Sequence, residues 1–152
     1  MASVNPNVGD ICGQHLRFMK WADDLLLSAV QTNMPARKET LEHIFMAERI
    51  WLARIQGTLD ASVLVPPTDL AGEWPALHEA WLSWAAGLSD WGQVLRYKTL
   101  AGVEAESTLW EIVLHVANHG SYHRGQAAAM LRASGFAPPT TDLIMWYRSN
   151  SG

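Results

Sequence analysis

The sequence predicts an all-α fold: a four-helix bundle followed by a short C-terminal helix. Three observations carry that prediction. Apolar residues recur at three- and four-residue steps over four long stretches, the period of a helix with one buried side. Helix breakers fall between those stretches, at Asn33-Met34-Pro35, at Pro66-Pro67 and at Gly135 with Pro138-Pro139 beyond it. No segment reads as a strong strand. At 152 residues the chain is expected to form one domain, residues 1–152, long enough to bury a core.

The first helix is expected from about Val8 to Val30, where Ile11, His15, Phe18, Ala22, Leu25 and Ala29 mark a stripe. Pro35 suits the first turn of a second helix, expected to reach Gln56 and stop at Gly57, a C′ glycine. Leu41, Ile44, Phe45, Glu48, Leu52 and Ile55 form one side of it. Ala47, Ile50 and Trp51 widen the apolar surface, which suits a central helix. Thr58 to Gly72 reads as loop. A third helix is expected from near Pro75, because Leu77, Trp81, Trp84, Leu88 and Trp91 step by four, three, four and three, the rhythm of a bundle seam. Gly92 to Ser107 reads as irregular, with a short extended piece at Val94–Thr99. Thr108-Leu109-Trp110-Glu111 has the spacing of a capping box and opens a fourth helix that runs to about Ser134. A short fifth helix is expected from Thr141 to Arg148.

Composition narrows the function classes. Apolar residues make up 49% of the chain, which fits a globular protein and excludes disorder. Eleven basic against 15 acidic residues give a net charge of −4, and no Lys/Arg cluster stands out. A duplex nucleic-acid partner, which needs a basic stripe, is therefore not expected. Neither is a basic membrane-surface helix. A single cysteine, Cys12, excludes an internal disulfide and fits a reducing compartment. Met1 to Asp10 lacks the basic and apolar regions of a signal peptide, and no apolar run approaches the ~20 residues of a membrane span. A cytoplasmic location is the expectation.

The chemistry concentrates in Leu114-His115-Val116-Ala117-Asn118-His119-Gly120-Ser121-Tyr122-His123-Arg124-Gly125-Gln126. Residues at i and i+4 share one side of a helix, with Cβ atoms about 5–6 Å apart. Two imidazoles so placed can reach one metal ion. On a helical wheel, Leu109, Ile112, Val113, Val116, Gly120, Ala127, Met130 and Leu131 define an arc of about 100°. His123 falls inside the arc, His119 at its edge and His115 just outside, which turns two imidazoles toward the bundle interior. His115 and His123 lie about 12 Å apart along the axis and do not easily share an ion. The favoured pair is His119 with His123.

A two-histidine site needs a third ligand. His43, His15, His78 and a carboxylate such as Glu48 are all candidates on spacing alone. A lone buried histidine is more often a hydrogen-bonded core residue than a ligand, and the tryptophan stripe of the third helix reads as core. Cys12 has no basic neighbour that would make its thiol reactive.

The Leu114–Gln126 run resembles the signature of the DinB-like (YfiT-type) family of metal-dependent bundle proteins. Thr40-Leu41-Glu42-His43-Ile44 through Glu48, Trp51-Leu52 and Gly57 is similar to that family's other histidine helix. Leu16-Arg17 through Trp21-Ala22 and Thr141-Asp142-Leu143-Ile144 resemble its ends. The resemblance implies a four-helix bundle with one divalent ion, zinc or nickel foremost, iron or manganese in some relatives. It implies His43, His119 and His123 as the ligands and a homodimer as the assembly. Relatives include thiol-dependent S-transferases and isomerases. The family name records DNA-damage induction of a relative, a stress response, and implies no polymerase function.

Three functions follow as expectations. The first is a metal-dependent enzyme, a small-thiol S-transferase or a hydrolase, acting on a small-molecule substrate. Trp21, Trp51 or Trp110 would then wall the cleft, and Arg124 and Gln126 would orient substrate or ligands. The second is a non-catalytic metal-binding bundle, structural or stress-related. The third is a metal-free interaction protein with a histidine cluster. Structural zinc sites usually close with four protein ligands, so a three-histidine set favours the first.

Overall fold

The structure, a computed structural model, describes residues 5–151; the part of the signal-peptide expectation that falls on residues 1–4 lies outside the described residues. Helix α1 spans Val8–Asn33 and begins at a capping box, in which the Asn7 side chain accepts from the Asp10 N–H at 2.8 Å and the Asp10 carboxylate accepts from the Asn7 N–H at 3.0 Å. Helix α2 spans Glu39–Gln56 and ends at Gly57, whose φ of 70° takes the left-handed conformation that glycine adopts without a Cβ clash. It starts later than Pro35 suggests, because Met34 to Lys38 form a separate turn closed by the Arg37 N–H on the Met34 carbonyl.

Helix α3 spans Leu70–Ala86, with the Asp69 side chain accepting from the Gly72 N–H at its start. The expected start near Pro75 is wrong: Pro75 sits inside the helix, more than a turn past the position where its missing N–H is harmless. A 3₁₀ turn at Ala61–Leu64 lies in the preceding loop. The expected seam is also displaced. Trp74, His78 and Trp81 form the fully buried edge of α3, while Leu88 and Trp91 lie beyond its end and still pack on the core from the following loop.

The stretch after α3 is a hairpin, not irregular chain. Strand β1 (Val94–Lys98) pairs antiparallel with β2 (Glu104–Thr108). Only the first strand is legible beforehand, because Glu104-Ala105-Glu106-Ser107 has low β propensity and is held by its partner. Helix α4 spans Leu109–Ala133. Its expected capping box is present, with the Thr108 N–H donating to Glu111 Oε2 at 2.8 Å and Thr108 Oγ1 accepting from the Glu111 N–H at 3.4 Å. Helix α5 spans Leu143–Asn150.

In the bundle, α4 packs against α1 and α2, and α3 packs against the same two helices from the other side. Two apolar clusters fill the interior. One gathers Leu26, Val30, Leu41, Ile44, Phe45, Trp74 and Leu131; the other gathers Cys12, Leu16, Met19, Leu52, Trp81, Ile112, Val113 and Val116. The buried stripe of α1 is thus carried by Cys12, Leu16, Met19, Leu26 and Val30, not by the stripe read from the sequence. Phe18 and Ala22 belong to a third cluster with Trp146 of α5. Two buried faces on one helix blur a single periodic signal.

Among the described residues, no helix is long and apolar enough to cross a membrane.

Candidate metal centre

His43 of α2 meets His119 and His123 of α4 in the groove between the two helices. The ring centroids are 5.1 Å apart for His43 and His119, 4.3 Å for His43 and His123, and 4.5 Å for His119 and His123. One nitrogen from each ring lies within 4.8 Å of the others. Two nitrogens bound to one zinc ion at about 2.0–2.1 Å can be at most about 4.2 Å apart. Small rotamer shifts therefore bring this donor set into the range of a first-row divalent ion. Three imidazole nitrogens with no carboxylate suit a transition-metal ion more than magnesium or calcium.

The three rings are not turned into the interior, as the wheel suggests. His119 and His123 are half-buried and His43 is exposed. Helix α4 points Gly120 and Arg124 inward, and each histidine sits one position earlier, about 100° around the axis. The side of α4 that holds them is the flank of the buried arc. This keeps the centre at the surface of the bundle, where a small molecule can approach.

The local environment prepares the rings for a cation. The pKa of His119 is lowered to about 4, by burial first and then by the neighbouring His123, His43 and His115 in that order. Burial, then His123, lowers that of His43. His123 Nδ1–H donates to Gln126 Oε1 at 2.7 Å, which fixes the tautomer and leaves Nε2 as the free donor atom. Gln126 therefore orients a ring, as the sequence allows. His115 stands beside His119 at 6.0 Å between centroids and stacks edge-on against Trp51 at 5.5 Å, on the flank of the centre.

The other third-ligand candidates lie elsewhere. His15 bonds within its own helix, its Nδ1 lying 2.8 Å from the Ile11 carbonyl oxygen, and faces a different cleft. Glu48 and His78 join Asp23 and Arg124 in a second cluster, fully buried between the two apolar clusters. Arg124 Nη1 donates to Asp23 Oδ1 at 2.7 Å, His78 Nε2–H donates to Asp23 Oδ2 at 3.0 Å, and Trp74 Nε1–H donates to Glu48 Oε2 at 2.7 Å. Asp23 is held ionised against the cost of burial by Arg124 and by hydrogen bonds from His78 and Glu48. The pKa of Glu48 is pushed well up by burial, then by the negative charge of the neighbouring Asp23. Asp23, Glu48 and His78 could by spacing hold an ion as well. The guanidinium already seated on Asp23 supplies the cation there. Arg124 is thus an interhelical bolt and not a substrate contact.

Sequence reasoning missed Asp23, which reads as one of two polar residues on a helix flank, and missed the pairing of Arg124. A polar position on each of four apolar stripes was the available signal.

Of the three tryptophans considered for the cleft, Trp51 lines it. Trp21 packs beside Phe18 against α5, and Trp110 is exposed in the first turn of α4. Cys12 is a buried core thiol whose pKa burial pushes up to about 11, which agrees with an unreactive side chain.

A model described as the DinB family matches residues 19–150, a span that includes all three histidines. Protein DinB of Bacillus subtilis (strain 168) is 25% identical over 125 residues, covering 74% of this chain and 73% of that protein. No solved structure is matched.

Proposed function

The chain belongs to the DinB family, and from that premise we propose that it is a metal-dependent enzyme whose divalent ion is held by His43, His119 and His123. The reactions we assign to it are S-transfer from a small thiol or hydrolysis of a small substrate. The observation that carries this reading is the convergence of three imidazole nitrogens from two helices at the bundle surface, with no fourth ligating side chain in the group among the described residues. When bound by three protein ligands, a zinc-type ion keeps positions for solvent or substrate and lowers the pKa of a bound water or thiol toward neutrality.

The residues of the chain supply the rest. Gln126 Oε1 accepts from His123 Nδ1–H, which leaves Nε2 as the ring nitrogen free for an ion. Burial keeps His119 unprotonated at neutral pH, so no proton need leave it when an ion arrives. Met46, Ala47, Ile50, Trp51, Leu64 and Leu100 line an apolar cleft that begins at His43 and His119. A cytoplasmic setting, where small thiols stay reduced, suits the transferase form. Zinc or nickel is the ion proposed, and a homodimer is the assembly; the acidic balance of the chain agrees with a small-molecule partner and not with nucleic acid.

Elemental analysis of the untagged full chain should find about one divalent ion per chain, and His119→Ala should lose it. Retention of the ion by that variant would overturn the ligand assignment. Turnover is tested with small thiols paired with electrophilic acceptors and with ester and amide substrates. Loaded protein that turns over none of these would support a non-catalytic metal-binding bundle instead.

A further inference from the structure

The cleft beside the three histidines has a second end. It runs along α2 from His43, past Met46, Ala47 and Ile50, to Trp51 and Arg54, with a volume of about 570 Å³. Leu64 from the 3₁₀ turn and Leu100 from the hairpin tip stand over its sides, 46% and 72% exposed, where two large apolar side chains in water have no partner of their own. Size and lining are those of a small-molecule site, mostly apolar with a few polar groups that fix orientation.

The polar group at the far end is Arg54. Its guanidinium lies 4.6 Å above the Trp51 ring and 5.3 Å from the Tyr97 ring, so two aromatic faces hold it in place. Nη2 donates to the Lys98 carbonyl at 3.3 Å, a neutral acceptor, and Nε, buried against the protein, has no partner among the described residues. Arg49 and Arg96 each reach a carboxylate, but Arg54 reaches none among the described residues. A positioned, uncompensated guanidinium at the end of an apolar cleft is a receptor for a carboxylate, which it can meet with two parallel N–H donors.

Taken with the metal centre, which this inference rests on for the identity of the reacting end, we propose that the substrate is an elongated organic acid. Its carboxylate sits on Arg54, its apolar body lies along Met46, Ile50, Leu64 and Leu100, and its reacting group reaches His43, His119 and His123. Trp51, on which the guanidinium stacks, follows His43 by eight residues, about 12 Å along the helix axis. A medium-length carbon chain spans that distance. Arg54 is a specificity-determining residue in this arrangement.

The test uses octanoate and octanamide, equal in length and differing in charge, titrated calorimetrically into the metal-free full chain at about pH 8, above the imidazole range. The wild type should bind octanoate about tenfold more tightly, equivalent to about 1.4 kcal/mol. Arg54→Gln should abolish the preference, while Arg49→Gln should keep it. Circular dichroism of both variants guards against unfolding, and Arg54→Met, which keeps the stem and removes the charge, serves as a folded substitute if the glutamine variant fails. Equal affinities in the wild type, a preference that survives loss of the guanidinium, or no binding of either ligand would each overturn the proposal. A separate arm compares ω-mercapto-octanoate with octanoate on zinc-loaded protein. Absence of a gain from the thiol there would count against the metal reading alone, because the acid-against-amide comparison needs no ion.

Discussion

Replacing Asp23 by asparagine isolates the charge that the bundle keeps at its centre. Asp23 and Arg124 are 0% and 1% exposed, and their contact is 2.7 Å. In Asp23→Asn the amide side chain keeps the size and one acceptor oxygen but removes the negative charge, leaving a guanidinium buried without a counter-ion. Breaking one side of such a pair costs about 3–5 kcal/mol. In a chain of 152 residues each kcal/mol moves Tm by about 2–4 °C, so the expected fall is about 6–20 °C. Glu48→Gln is the contrast. The pKa of Glu48 is raised by burial and by Asp23, so a neutral amide that still accepts from Trp74 replaces it at small loss, and its cost at neutral pH should stay within about 1 kcal/mol.

The pH dependence fixes the sign. The pKa of Glu48 is raised in the folded protein, so its contribution to stability is fully present below 4.5 and is lost as pH rises toward the folded value. Glu48→Gln removes that loss and should gain on the wild type as pH is raised from 4.5. Urea denaturation followed by circular dichroism at several pH values measures both effects. Equal penalties for Asp23→Asn and Glu48→Gln, or a pH-independent gap between Glu48→Gln and the wild type, would refute the assignment of the negative charge to Asp23.

Three further outcomes are expected. Gly120→Ala should destabilise although alanine is favoured over glycine within a helix by about 1 kcal/mol; its Cβ would meet Arg124 Nη1 at 2.6 Å and push the guanidinium off Asp23, and an increase in urea midpoint would show that Arg124 is free to move. Thr108→Ala removes the cap of α4 and should cost about 1 kcal/mol, read as a small drop in Tm with the metal content unchanged. The metal-free chain should lose stability as pH falls from 6.5 toward 4, because His119 resists protonation in the folded state and accepts it once unfolded; that portion of the acid slope should vanish in His119→Ala, and an unchanged slope would contradict the lowered pKa.

Helix existence was legible because it rests on local signals: the Thr108 and Glu111 capping box and the glycine after Gln56 mark ends by chemistry confined to a few residues. Pro35 and Pro75 misled for the opposite reason. Proline is compatible with a helix start, but whether a helix begins there depends on packing several residues away. The pair His119 and His123 was legible from spacing within one helix. His43 was not, since its place opposite them is set by how α2 and α4 pack, and only the family resemblance pointed to it. Arg54 was invisible for a similar reason: what distinguishes it is its place at the end of the cleft between the Trp51 and Tyr97 rings, and sequence neighbours cannot report that.

Arg124, the member of the buried polar layer on α4, directly follows His123 in the chain, and this links the layer to the surface histidines. Gly120 and Arg124 follow His119 and His123 by one position, so any rotation of α4 that moves Arg124 away from Asp23 also swings both histidines away from His43. An apolar core alone fixes helix rotation loosely, because neighbouring apolar residues can replace one another at an interface with small loss. A charged pair with a contact of 2.7 Å cannot slip in that way without exposing an unpaired charge to the core. The pair sits between the two apolar clusters, on the helix turn that carries the histidines it aligns. Asp23 on α1 thus restrains the rotation of α4 at Arg124, one residue past His123, and His78 on α3 holds the other carboxylate oxygen of Asp23. Polar groups in the core of this bundle serve the geometry of a site they do not touch.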